Sequence, residues 1–505
     1  MASTREAYRA YVARPFTKSE RPEVTILFGG LHWRAERLLE AVFENLGYRA
    51  RALPPASRAD LLTGRELADI GQCCPTSFTT GNLVNFLRSE AGRLGADEVA
   101  RRYVYVTAGA CGACRFGQYH QSYELALRNA GLGAFRLFLL AQDRLDQGAV
   151  TGDGLEIDLP FTLGAVWAVL CADVLQDLEY QVRPYEVVPG RTDEVVKECV
   201  EYLHDVFAHR PPGGGKWRTL AWHLASDHFT AALRHVRRRF DAIEVDRLRV
   251  RPIVKITGEF YLQTVEGDPS YNIHRWLEAE GAEVYPAAVA VWLDYLMRSR
   301  AQHLQDRVGL ERRARLNLAL VRSLQAVFRW NYDRLRRALG GVPHALPDQW
   351  ELRRLAAPYF HYALSGGEGD MLIGKALWAH LHRKAHMVCE LSPYGCMPNT
   401  MSVGAMAAVV GRHPDLLYAP LEVKGDAEVH ALSRCQMILT EARRRAQREM
   451  DEALDRAGLT LGEVAAYLDA HPELKRATRP VPRHGAVGTA ANLVLHVAAR
   501  RGARR

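Results

Sequence analysis

Short apolar runs separated by amphipathic stretches recur along the chain. Thr25-Ile26-Leu27-Phe28 runs into Gly29-Gly30, the pattern of a buried strand feeding a turn. Leu38, Leu39, Val42, Phe43 and Leu46 then fall on one helical face. Tyr103-Val104-Tyr105-Val106-Thr107 and Phe135-Arg136-Leu137-Phe138-Leu139 read as further strands, the first rich in β-branched and aromatic residues. Strands alternating with helices predict βαβ units and a parallel sheet within residues 1–160.

Residues 161–249 turn helical, with Val196, Cys199, Leu203 and Val206 at helical spacing. A second α/β segment, 250–345, opens with the strand Ile253-Val254-Lys255-Ile256. A helix near Ile273–Glu280 and the strand Glu283-Val284-Tyr285 follow, and 288–340 is again helical in pattern. A third α/β region, 346–475, holds strands near Met387–Leu391 and Leu416–Ala419 and a long charged helix over Glu428–Ala457. Residues 476–505 read as a basic tail, either a disordered arm or a docking element for an acidic partner. No repeat of solenoid period stands out. The expected class is α/β, with Rossmann-like parallel-sheet domains and helical insertions.

Length and composition narrow the class. A chain of 505 residues exceeds one ordinary core, and 48% hydrophobic with 25% charged residues is the balance of a folded soluble protein. The polar start Met1-Ala2-Ser3-Thr4-Arg5-Glu6 shows no signal-peptide pattern, and no apolar run of membrane-span length is expected, so the reading is cytoplasmic, with no membrane partner. The net charge of +8 comes from arginines scattered beside glutamates on helices, not interleaved with stacking aromatics. That pattern is a solvated surface and argues against nucleic acid.

Nine cysteines, an odd number, argue against a secreted disulfide framework. Cys171, Cys199 and Cys435 sit among Val, Leu and Ile at helical spacing and read as core. Five of the other six lie in three Gly- or Pro-rich segments: Gly71-Gln72-Cys73-Cys74-Pro75-Thr76, Ala108-Gly109-Ala110-Cys111-Gly112-Ala113-Cys114, and Ser392-Pro393-Tyr394-Gly395-Cys396-Met397-Pro398-Asn399. Two of these follow a predicted strand, where α/β sheets bind ligands. Spacing alone leaves an iron–sulfur site, a redox dithiol and half of a zinc site open.

These three segments, with Lys255-Ile256-Thr257-Gly258-Glu259-Phe260, Gly366-Gly367-Glu368-Gly369, His386–Pro398 and Ser433–Met437, resemble the acyl-CoA dehydratase activase-related family. That family is a relative of the 2-hydroxyacyl-CoA dehydratase iron–sulfur subunits, and the likeness runs in order over roughly residues 15–450. The resemblance implies that Cys73, Cys111, Cys114 and Cys396 hold an oxygen-sensitive 4Fe–4S cluster at strand carboxyl ends. It also implies a separate ATP-dependent activase as one-electron donor, and a ketyl-radical dehydration of an acyl-CoA. A second dehydratase-like subunit or a homodimer is the further partner it suggests. The chain departs from the family pattern at Cys74, Val403 and Val423-Lys424, and Cys389 precedes the third segment unusually. Adding Cys74 and Cys389 to the four gives six thiols, enough for a double-cubane cluster.

Candidates for proton transfer are Glu259, His274 and Glu368, since a dehydration needs an acid and a base at the substrate. Gly366, Gly367 and Gly369 are the candidate substrate-binding glycines. Gly369–Ala376 imitates a P-loop, but Ala376 lacks the magnesium-binding hydroxyl and no strand leads into it. The expectation is an iron–sulfur dehydratase or reductase component passing single electrons to a bound small molecule. A non-catalytic electron carrier or scaffold, and a zinc-stabilised nucleic-acid binder, are the alternatives.

Overall fold

The computed structural model describes residues 14–109, 114–141, 154–211, 215–364 and 369–502. Two four-stranded sheets, each wholly parallel and flanked by helices, form the α/β, Rossmann-like fold. The first comprises β1 (Thr25–Phe28), β2 (Arg49–Ala52), β3 (Tyr103–Gly109) and β4 (Arg136–Ala141) in the order β2-β1-β3-β4. Its apolar strand residues are covered on both faces, as parallel sheets require: Ile26, Leu27, Val104 and Phe138 are buried.

The second sheet comprises β5 (Ile253–Gly258), β6 (Glu283–Tyr285), β7 (Met387–Pro393) and β8 (Tyr418–Val423), in the corresponding order β6-β5-β7-β8. Segments 250–345 and 346–475 therefore contribute two strands each to one sheet, and the boundary expected between them runs through a single core. Val254 pairs with both Val284 and Met387, which places β5 between strands from the two segments.

Helices from 159 to 240 join the halves. The Leu159–Val182 helix reaches membrane-span length and hydropathy, contrary to the sequence expectation. It is a core helix here: Leu170, Val174, Leu175 and Leu178 pack against Leu38, Val42, Val196 and Leu203. Its Glu179 accepts two hydrogen bonds from buried Arg34 at 2.5 Å and also pairs with Arg183. Arg34 reaches on to Glu266 of the second half at 2.6 Å. A buried charge is tolerable only when paired, and this cluster pairs it across both halves.

The expected basic tail is a helix, Thr489–Gly502, docked on the fold. Ala490, Leu493, Val494 and Val497 bury one face against Val464 and Leu468, and Thr489 donates to Glu283 at 2.9 Å. Arg500 pairs with Glu473, so the arginines mark the outer face of a packed element.

Candidate functional site

Three helical segments begin on cysteines. Cys73 caps the Cys74–Leu94 helix, Cys396 caps the Met397–Arg412 helix, and Cys114 caps the 3-10 turn Arg115–Gln118. All three caps have extended backbone, and in the two long helices proline follows in the first turn, where its missing N–H costs nothing. The two long caps share a local sequence: Cys73-Cys74-Pro75-Thr76 matches Cys396-Met397-Pro398-Asn399, and each run meets glycine eight residues after its first cysteine, at Gly81 and Gly404. In both, the polar residue of the first turn backs the thiol. Thr76 Oγ1 lies 3.1 Å from Cys73 Sγ, and Cys396 donates to Asn399 Oδ1 at 3.8 Å.

The loops abut. The Cys74 amide donates to the Tyr394 carbonyl at 3.0 Å. Gly395, with φ +77°, lies so close that a Cβ there would stand 3.3 Å from the Cys73 Cα. Arg115, next to Cys114, donates to the Gly71 carbonyl. A helix crossing holds the Cys73 loop in place: a Cβ on Gly64 would sit 1.8 Å from the Ser77 carbonyl oxygen, so only glycine lets the Arg58–Leu67 helix approach.

Glu259 lies beside these thiols. It caps the short helix Phe260–Thr264, its carboxylate accepting from the Tyr261 and Leu262 amides at 3.0 Å, while its own amide donates to Leu391 of β7. Burial pushes the Cys73 thiol up, hydrogen bonds with Thr76 and Tyr119 pull it down, and the Glu259 charge pushes it up again. A thiolate there calls for an accompanying cation.

Other expected site residues are dispersed. Cys74 points into the core of the second sheet with Leu61, Phe78 and Leu391, where burial pushes its thiol up to about 12. Cys389 is fully buried on β7, and a hydrogen bond with Cys435 together with burial holds its thiol well above the usual range. Both thiols thus pack into the core of the second sheet, whereas Cys73, equally buried, contacts Thr76 and Tyr119. Cys171, Cys199 and Cys435 are core residues, as expected. His274 is buried against Tyr180 with neither ring nitrogen hydrogen-bonded, and burial depresses it to about 4. It stands with Arg34 and Glu266 and not with the cysteine caps. Gly369 opens a buried helix, and a Cβ there would stand 2.7 Å from the Phe360 ring, so glycine lets the helix start pack against that ring. Cys111, Gly366, Gly367 and Glu368 lie outside the described residues.

Among the described residues, no three His, Cys, Asp or Glu side chains stand close enough to hold a metal ion. Among the described residues the donors at these abutting loops are the thiols of Cys73, Cys114 and Cys396, the soft-ligand chemistry of iron–sulfur or zinc.

A cavity of about 280 Å³ adjoins the caps, at the carboxyl ends of β1 and β2. Tyrosines link the two features. Tyr119 Oη lies 3.1 Å from Cys73 Sγ, the Tyr119 and Tyr123 rings are 6.3 Å apart, and Tyr123 donates to Thr79 in the cavity wall at 2.9 Å. The cavity and its acid Glu36 escaped the sequence reading; the available signal was a carboxylate on the first helix after the Gly29-Gly30 turn. A scan against protein-family models and a search of curated proteins found no match to this chain.

Proposed function

We propose that the chain is the iron–sulfur component of an ATP-activated, low-potential electron-transfer system. Cys73, Cys111, Cys114 and Cys396 would be its thiolate ligands, a separate activase its one-electron donor, and the cytoplasm its compartment. The observation that carries this reading is the contact between two cysteine-capped helices from distant parts of the chain, closed by the Cys74–Tyr394 hydrogen bond and joined by Arg115 to the Cys114 turn. Such a centre supplies single electrons at low potential. Around it, this chain's residues orient the thiols through Thr76, Tyr119 and Asn399 and set the local charge through Glu259. The small-molecule acceptor, by resemblance an acyl-CoA, belongs to the same reading.

Anaerobic purification with iron, sulfide and zinc quantitation, and EPR before and after reduction, tests it. Iron with matching sulfide, lost in Cys73→Ser and in Cys396→Ser, is the expected result. Zinc alone, or no metal after anaerobic reconstitution, overturns it.

A further inference from the structure

The cavity beside the cysteine caps has the position, size and lining of a ligand site. The order β2-β1-β3-β4 reverses at β1, because the chain leaves β1 for β2 on one side and returns to β3 on the other. Open α/β sheets bind ligands in the crevice beyond that switch point. Gly29, Leu53 and Tyr105 place the cavity there, and Tyr261 and Glu266 of the second half close it. Its volume of about 280 Å³ far exceeds one water and is near the lower bound for small-molecule sites.

The lining selects by charge. Trp33, Tyr105 and Tyr261 supply aromatic surface, while no lysine, arginine or histidine is among the described residues that line the cavity. Both lining acids are glutamates, and they differ. Glu266 is held by Arg34 at 2.6 Å and by the Tyr180 hydroxyl at 3.1 Å. Burial alone would raise its carboxyl, but Arg34 overcomes this and holds it well below the usual range. Arg34 itself lies over Trp33 and is neutralised by Glu179 and Glu266, so it offers no open charge to an anion.

Glu36 accepts backbone N–H groups from the Leu31 turn, at 3.0 Å from Leu31, which leaves acceptor capacity on its carboxylate. Burial raises this carboxyl to about 7, backbone hydrogen bonds from Leu31 and Gly30 oppose the rise, and Glu40 on the same helix adds to it. The other groups facing it are Tyr105 on β3 and Tyr261 and Glu266 from the second half.

We propose that this cavity is a binding site for a small uncharged or cationic molecule, an alcohol, amide or amine, with Glu36 as the carboxylate that anchors it. A carboxylate or phosphate would meet two acids and no cation. The site stands apart from the iron–sulfur reading, since binding to the purified chain can be measured whatever its metal content. If the cavity takes the reducible end of an acceptor, the phosphates of any carrier group stay outside it.

Three probes of one shape separate the outcomes: cyclopentylamine, cyclopentanol and cyclopentanecarboxylate, titrated into the full chain and followed by tryptophan fluorescence and saturation-transfer NMR. At about pH 8, above the Glu36 value of about 7, the amine and the alcohol saturate and the carboxylate binds at least about tenfold more weakly. Glu36→Gln weakens the amine about tenfold or more and leaves the alcohol within about threefold. Gly29→Val fills the wall, since a Cβ there meets only Glu36 and Leu53 at 3.7 Å, and it abolishes binding of both with an unchanged circular dichroism spectrum. The proposal is overturned if the carboxylate binds as well as the amine, if Glu36→Gln leaves the amine unaffected, if Gly29→Val leaves both bound, or if no probe saturates the folded wild-type chain.

Discussion

At the carboxyl ends of β1 and β2, Gly29, Gly30 and Pro54 stand back from a cavity of about 280 Å³; beyond the carboxyl end of β6, level with Lys255 in β5, side chains fill the space to about 20 Å³. The second crevice is plugged by Lys255. Its amine donates to the Pro286 carbonyl at 2.7 Å and lies 3.7 Å over the Tyr285 ring, on which His344 stacks. Burial, with Lys375 nearby, drives the Lys255 amine well below its usual range. What remains is room for about one water. Strand order supplies a crevice in both halves, and the residues at the strand ends decide whether it is a site or core.

The largest expected break in this comparison is chemical. Cys73→Ser and Cys396→Ser should each remove the bound iron completely, whereas Cys389→Ser, in the core of the second sheet, should keep it; iron analysis after anaerobic reconstitution decides. Next is Arg34→Leu, which leaves Glu266 without its salt-bridge partner and Glu179 with Arg183 alone. A loss of roughly 3–5 kcal/mol in urea unfolding is expected. A smaller loss would mean that the halves are held together elsewhere.

Alanine at the ends of the first strands sharpens the contrast. Gly258 has φ +127°, and a Cβ there would stand 2.2 Å from the Leu391 carbonyl oxygen, whereas Gly29 has room. Gly258→Ala should cost about 3 kcal/mol or more and Gly29→Ala less than about 0.5, by the same unfolding assay.

The last effect is a pH dependence, spread over several pH units. Glu36 rises from 4.5 to about 7 on folding, so the folded chain binds its proton more tightly. The stability it contributes is full below about 4.5 and is lost as pH rises through 7, by up to about 3 kcal/mol. Glu36→Gln should flatten that window. Equal slopes in both proteins would assign the trend to other groups.

How far the sequence foretells this molecule depends on how each element is buried. β1, β3 and β5 are legible because both faces are covered and their apolar runs are continuous. β2, Arg49-Ala50-Arg51-Ala52, is not: it is an edge strand paired only with β1, and its arginines face outward. The single second sheet is hidden because about a hundred residues of mostly helical chain separate β6 from β7. The C-terminal helix carries apolar residues at positions 490, 493, 494 and 497, a readable period masked by the arginines around it. At the site, the cysteines announce themselves by loop composition, but their role as helix caps needs the repeated Cys-x-Pro-polar pattern. Glu36 becomes notable only when Tyr261 and Glu266 arrive from another part of the chain.

The hydrogen bond from the Cys74 amide to the Tyr394 carbonyl also sets an order of events during synthesis. Its donor leaves the ribosome some three hundred residues ahead of its acceptor, an interval of roughly 15 seconds to a minute at bacterial to eukaryotic elongation rates. Throughout that interval the first cap has no opposite number, so a growing chain can present Cys73 but cannot enclose it. Closure of this contact therefore waits until translation has passed Tyr394, and any cargo that needs both caps can be enclosed only after that point.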